Sequence, residues 1–218
     1  MYDLADAISG LPYFRNEEKI EKLIDELPKE YINFQEQKFG TTIGQFALKT
    51  LNYNAIRRLL DKGLNPNLMD KRANAIIIDI NSSAYSHLPQ SLETLKYIIK
   101  KGGNVNLYSP KASICTPLTE AANSNFENVK VLIAAGANPH FIEELDSYYR
   151  NTGYRSPFRS PLSAALVNNR IEIINYLIFN QKVDFSTLKF SDNSKFHPGE
   201  YEILYRLREK TPDRSDMH

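Results

Sequence analysis

Internal repetition constrains this chain more than any other property of its sequence. The run Cys115-Thr116-Pro117-Leu118-Thr119-Glu120-Ala121-Ala122 has a counterpart in Arg159-Ser160-Pro161-Leu162-Ser163-Ala164-Ala165-Leu166. Each is followed by a second apolar pattern, residues 128–139 ending in Gly136-Ala137-Asn138-Pro139 and residues 171–178 with Ile174, Leu177 and Ile178. Upstream, residues 55–67 and 94–106 take the same form and end in Gly63-Leu64-Asn65-Pro66-Asn67 and Gly102-Gly103-Asn104-Val105-Asn106. One unit can be read physically. Thr116 or Ser160 suits a helix N-cap, and the proline after it suits the first helical position, where a missing N–H costs nothing. Ala121-Ala122 and Ala164-Ala165 let two helices approach closely. The second helix is apolar at i, i+3 and i+4, as in Ile56, Leu59, Leu60 and Leu95, Ile98, Ile99. Gly63, Gly102 and Gly136 stand where a helix end favours a left-handed residue. One such pair cannot bury its apolar face alone, whereas stacked copies bury a continuous core.

The order Thr-Pro-Leu, Ala-Ala, a Leu-Leu-like pair and then Gly-Ala-Asn-Pro resembles the ankyrin repeat, with residues 111–140 as the best copy and the likeness spanning about 40–185. The resemblance implies an all-α fold: an ankyrin-repeat solenoid of stacked helix pairs with half-repeat caps and two insertions. The His that follows Thr-Pro-Leu in the family is Thr119 or Ser163 here, and Gln45 in the first unit, which reads Thr42-Ile43-Gly44-Gln45. The hydrogen bond this His supplies across the turn is therefore open. The 72–106 unit lacks the motif.

The expected organisation is a helical cap over 1–39, about four degenerate repeats over 40–185, a second cap over 186–210 and a disordered tail over 211–218. Ile20, Leu23, Ile24 and Leu27 form one stripe in the first cap; Tyr201, Leu204, Tyr205 and Leu207 do so in the second. Gly63 to Gly102 is 39 residues and Pro117 to Pro161 is 44, against a regular step of about 33. One insertion is thus expected at about Ser82–Ser91, between the helices of the second unit. The other is expected within His140–Arg159, in the finger joining the third unit to the fourth.

Composition narrows the function classes. Lys plus Arg is 27 against 26 for Asp plus Glu, a net charge of +1, which removes the usual electrostatic argument for a nucleic-acid or membrane partner. The charge is uneven: residues 1–40 hold nine acidic and five basic residues, a net of −4, so the remainder carries +5. Either the acidic cap simply faces water, or the basic remainder faces an acidic partner. Cys115 is the one cysteine, so neither an internal disulfide nor a cysteine-based zinc site can form. No apolar run approaches the roughly 18 residues of a spanning helix. The first 20 residues lack a basic start and apolar block, so the expected location is the cytoplasm. His87, His140, His197 and His218 show no metal-ligand spacing, and Cys115 has no general base in view. No catalytic constellation is found. The expectation is no metal, no cofactor and no enzymatic activity.

The unusual stretch is 140–159, where Phe141, Tyr148, Tyr149, Tyr154 and Phe158 interleave with Arg150, Arg155 and Arg159. Tyr and Arg are enriched at interface hot spots. Either these rings cover the groove of the neighbouring repeats, or they form an interface. Nucleic-acid stacking is a third reading, disfavoured by Glu143, Glu144 and Asp146. The resemblance implies a protein partner held by fingers and first helices, as a monomer or as a heterodimer with that partner. Carried over position by position, the exposed contacts are Lys38, Phe39 and Lys49 in the first unit and Arg72 in the second. Tyr108 and Lys111 follow in the next finger, then Asn123 and Ser124, then Arg159 and Asn168 in the last unit. Small free-standing chains of this kind resemble bacterial immunity proteins that neutralise a toxin or effector. An adaptor or secreted effector acting on host proteins is the alternative in the same class, and an enzyme with a site in 140–159 the alternative outside it.

Overall fold

The computed structural model describes residues 17–108, 116–142 and 160–184. Among these residues the structure is helices and turns with no strand, apart from one isolated antiparallel bridge between Gln35 and Thr42. The helices are α1 (Glu17–Glu26), α2 (Ile43–Lys49), α3 (Tyr53–Asp61), α4 (Ile76–Asp79), α5 (Pro89–Lys100), α6 (Pro117–Ser124), α7 (Phe126–Ala134), α8 (Pro161–Val167) and α9 (Ile171–Asn175). They pack in two rows. In one row α2 touches α4, α4 touches α6, and α6 touches α8; in the other α1, α3, α5, α7 and α9 touch in succession. Rungs between the rows are α2 with α3, α4 with α5, α6 with α7 and α8 with α9. The apolar stripes meet between the rows, where Ile24, Ile56, Leu59, Ile77, Leu95, Ile98, Leu118 and Leu132 are fully buried. The second cap and the tail lie outside the described residues.

The helix N-caps at Thr116 and Ser160 form as the sequence predicts, and Thr42 joins them. Thr42, Thr116 and Ser160 each accept the N–H three residues on, and Pro117 and Pro161 open their helices. The missing His is replaced locally. Gln45 Oε1 accepts the Thr42 N–H at 3.0 Å while its Nε2 donates to the Asn74 carbonyl at 3.1 Å. In the last unit the Ser160 N–H donates to Ser163 Oγ at 2.9 Å. Where the motif is absent the helix shrinks: α4 is four residues long, and its N-cap Ala75 offers no side-chain acceptor. Residues 81–88, overlapping the Ser82–Ser91 stretch where the first insertion is expected, run as consecutive turns and bends up to Pro89.

Three outer helices end alike. Gly63, Gly102 and Gly136 have φ of 105°, 93° and 92°. The next residue's N–H returns five residues to Leu59, Ile98 or Leu132, each at 2.9 Å. The fourth end has no glycine: Lys182 takes φ 57°, and the Val183 N–H reaches six residues back to Leu177. One extra residue is absorbed by a wide helical turn over Tyr176–Asn180. A Cβ at Gly63 would meet nothing within 4 Å, so the cost of Gly63→Val is backbone strain, expected at about 1–3 kcal/mol. Lys182→Gly should instead raise stability by roughly 0.5 kcal/mol. Denaturant midpoints of the two variants check both; equal midpoints would show that these positions do not terminate the helices under strain.

Asparagines tie each unit to the next. Asn67 Oδ1 accepts the Asn104 N–H at 2.7 Å, and its Nδ2 donates to the Gly102 carbonyl at 2.9 Å. Asn106 does the same with Asn138 and Gly136, at 2.8 and 2.9 Å. Asn33, after α1, does so with Asn65 and Gly63, at 2.7 and 3.1 Å. Residues 17–33 therefore join the array through the same rung as the units that follow.

Candidate binding face

The segments that lead into the inner helices form fingers. In the first, Gln35 bridges Thr42, the Gly40 N–H donates to the Glu36 carbonyl at 2.9 Å, and the Glu36 carboxylate accepts the N–H groups of Lys38 and Phe39. In the second, the Asp70 carboxylate accepts the N–H groups of Arg72 and Asn74, both at 2.9 Å. The two fingers are tied by Lys71 N–H donating to the Phe39 carbonyl at 2.8 Å. Gly40 (φ 71°) makes this approach possible, since a Cβ there would lie 3.1 Å from the Lys71 nitrogen.

On this frame Phe39 is 46% exposed. Lys38 Nζ lies 4.9 Å from its ring centroid and Arg72 Cζ 5.7 Å. Lys49, at the end of α2, is exposed over Phe46 at 5.4 Å. In the following finger Tyr108 packs against Phe141 with ring centroids 5.3 Å apart. Lys38, Phe39, Lys49, Arg72 and Tyr108 are therefore exposed on the fingers and the first inner helix. Asn123, Ser124 and Asn168 differ from the expectation of exposure, for all three are half-buried. Ser124 Oγ donates to the Asn81 carbonyl at 2.6 Å, and Asn168 Nδ2 to the Ala164 carbonyl at 3.0 Å. Ser124 thereby ties its helix end to the preceding unit, whereas the Asn168 amide closes back on its own helix. Lys111, Tyr148, Tyr149, Arg150, Tyr154, Arg155, Phe158 and Arg159 lie outside the described residues, as does Cys115.

Two acidic groups went unmarked in the sequence reading. Four residues after the N-cap position, the inner helices carry Phe46, Asp79, Glu120 and Ala164. Glu120 is 7% exposed. Burial raises its carboxyl to about 7, and Asp79 pushes the same way. Burial raises Asp79 to about 6 with help from Asp70, against the Gln45 hydrogen bond, Lys49 and Arg72. Gln45 Nε2 donates to Asp79 at 2.9 Å. The signal was present in the sequence as two acids in a column that is otherwise apolar.

Among the described residues no group of three or more His, Cys, Asp or Glu could hold a metal ion. A chelator should leave the melting temperature unchanged; a drop of several degrees would reveal a metal the sequence reading did not expect. None of the described helices is long and apolar enough to cross a membrane.

No curated protein matches the chain. The model of the ankyrin repeat family matches residues 114–143, the segment that holds α6, α7 and the Gly136 turn. Ankyrin repeats are typically non-catalytic modules that bind protein partners. The match supports an ankyrin-repeat protein.

Proposed function

We propose that the chain is a non-enzymatic scaffold that binds one protein partner with its fingers and the adjoining ends of its inner helices. The observation that carries this reading is the hydrogen-bonded pair of fingers presenting exposed Phe39 between Lys38 and Arg72, since aromatic and Arg side chains dominate interface energetics. In this reading residues 40–185 are about four degenerate repeats of an ankyrin solenoid with two insertions, 1–39 and 186–210 are its caps, and the protein works in the cytoplasm. The partner is a bacterial toxin or effector that the protein neutralises as an immunity protein. Support for that last step is analogy with small free-standing chains of this size and irregularity.

The insertion contributes contacts through Tyr149, Tyr154 and Arg155. Replacing these three with Ala should weaken partner binding by several kcal/mol, on the order of hot-spot losses, with little change in melting temperature. Co-expression with a toxin encoded beside the gene should restore growth, and the triple variant should fail to do so. Unchanged rescue by that variant would remove the insertion from the interface. No rescue by the wild type, together with no partner recovered in a pull-down from the native organism, would end the scaffold reading.

A further inference from the structure

The outward charges of the two rows are handled differently. In the outer row, four cations are paired with carboxylates of their own row: Arg58 with Glu21, Lys101 with Asp61, Lys96 with Glu93 and Lys130 with Glu127, at 3.0, 2.7, 2.7 and 2.6 Å; Lys62 donates to the Ile24 and Asp25 carbonyls instead. On the first two fingers the carboxylates are engaged by the fingers' own backbone N–H groups. Glu36 is occupied by backbone N–H groups. The Asp70 side chain is only 2% exposed, with two backbone N–H groups and Arg72 Nε, 3.8 Å away, as partners. Asp79 is held by Gln45. The cations of the same region stay outward: the Arg72 side chain is 61% exposed, and Lys38 and Lys49 are exposed with no carboxylate partner among the described residues. Between them Phe39 offers an apolar surface 46% exposed.

We propose that the first two fingers bind an acidic segment of the partner protein, its carboxylates on Lys38, Arg72 and Lys49 and an apolar side chain on Phe39. This rests on the scaffold reading above and names the partner's chemistry. Charge complementarity carries it. A cation already lying over an aromatic face keeps its charge available to a carboxylate at the rim of the ring. Arg72 can engage that carboxylate through two parallel hydrogen bonds. The fingers are tied by one backbone hydrogen bond, Lys71 to Phe39, and by the Lys71 and Gln35 side chains on the Gln37 and Met69 carbonyls, so little ordering is needed on binding. The near-neutral chain as a whole points to local recognition of a short acidic stretch, not to the long-range field that a nucleic acid calls for.

The test uses the full chain and a short labelled peptide of Glu, Asp and Leu. Its comparators are the same peptide with Gln and Asn for the acids, and a single-stranded DNA of equal length. The acidic peptide should bind, with affinity falling as salt is raised. Lys38→Gln with Arg72→Gln should weaken it by about tenfold, the loss of roughly one charge-assisted pair, and Phe39→Ser should weaken it as well. Lys96→Gln with Lys130→Gln, on the outer row, should change it less than about twofold. Melting temperatures of all variants should match the wild type, because every substituted side chain is at least partly exposed. Equal binding of the amide peptide, equal loss from the outer-row variant, or tighter binding of the DNA would each overturn the proposal. So would no binding of the acidic peptide. The scaffold reading survives any of these if the wild type still recovers a partner from the native organism.

Discussion

Replacing Glu120 with leucine should stabilise the protein at pH 8 by about 2–3 kcal/mol and flatten its stability between pH 5 and 8. The carboxyl is buried among inner helices, at the place that Phe46 and Ala164 fill in other units. Its affinity for a proton rises from the ordinary 4.5 to about 7, and each tenfold change is worth roughly 1.4 kcal/mol. A carboxyl whose folded-state value is raised holds a proton more tightly in the folded state than in the unfolded one. Its contribution is fully present below its unfolded value and is lost as pH rises through about 7. Asp79, raised to about 6, acts in the same direction over a slightly lower window. The two are coupled, so removing one charge relaxes the other and the effects do not add. Lys101 and Lys96 hold Asp61 and Glu93 below their ordinary values; these exposed groups oppose the trend only under strongly acidic conditions. Urea midpoints at pH 5.5 and 8 test the point. Wild-type stability should be higher at pH 5.5, and Glu120→Leu should narrow the gap to the part that Asp79 contributes. A wild type that is more stable at pH 8, or a leucine variant that is less stable there, would mean that Glu120 is charged and satisfied by a partner.

The period and the caps were legible in the sequence because they depend on local chemistry. A hydroxyl before proline, a pair of alanines and a glycine at a helix end each act within a few residues. What escaped depends on register between units. The left-handed Lys182 is visible only after allowing for the one extra residue that widens the turn at Tyr176–Asn180. The rungs from Asn33, Asn67 and Asn106 are recognised once the asparagines are placed opposite the glycine of the next unit. Gln45 was noted as a departure from His, yet its longer amide reaches both its own cap and the next finger. Of the candidate face, Lys38, Phe39 and Arg72 came from the family resemblance, and they are exposed on the fingers. Asn123, Ser124 and Asn168 are half-buried instead of exposed, because exposure at a helix end depends on local packing that the motif does not encode.

The second large effect is expected at Asn81. Both Asn81 and Asn128 are fully buried. Asn128 Nδ2 donates to Asn81 Oδ1 at 3.0 Å, and Asn81 Nδ2 donates to the Ile77 carbonyl at 2.8 Å. Asn128 Oδ1 has no partner, so the amide of Asn128 relies on this one bond from its side chain. Ser124 Oγ on the Asn81 carbonyl and Asn125 Nδ2 on the Ser86 carbonyl at 2.7 Å extend the contact. The network joins the turn after α4 to the start of α7, where the second unit has lost its capping motif and α4 is shortest. Asn81→Ala strands the Asn128 amide in the core and leaves a small cavity, at an expected cost of about 2–4 kcal/mol. Asn128→Ala removes the donor to Asn81 Oδ1 and should cost about as much. The double variant Asn81→Leu with Asn128→Leu removes both stranded groups and restores volume. It should be at least 1 kcal/mol, roughly, more stable than the sum of the two alanine changes implies. Denaturant unfolding of the four proteins measures this. Strict additivity would show that the two amides are satisfied independently by water, and that the tie between the second and third units lies in their apolar contacts alone.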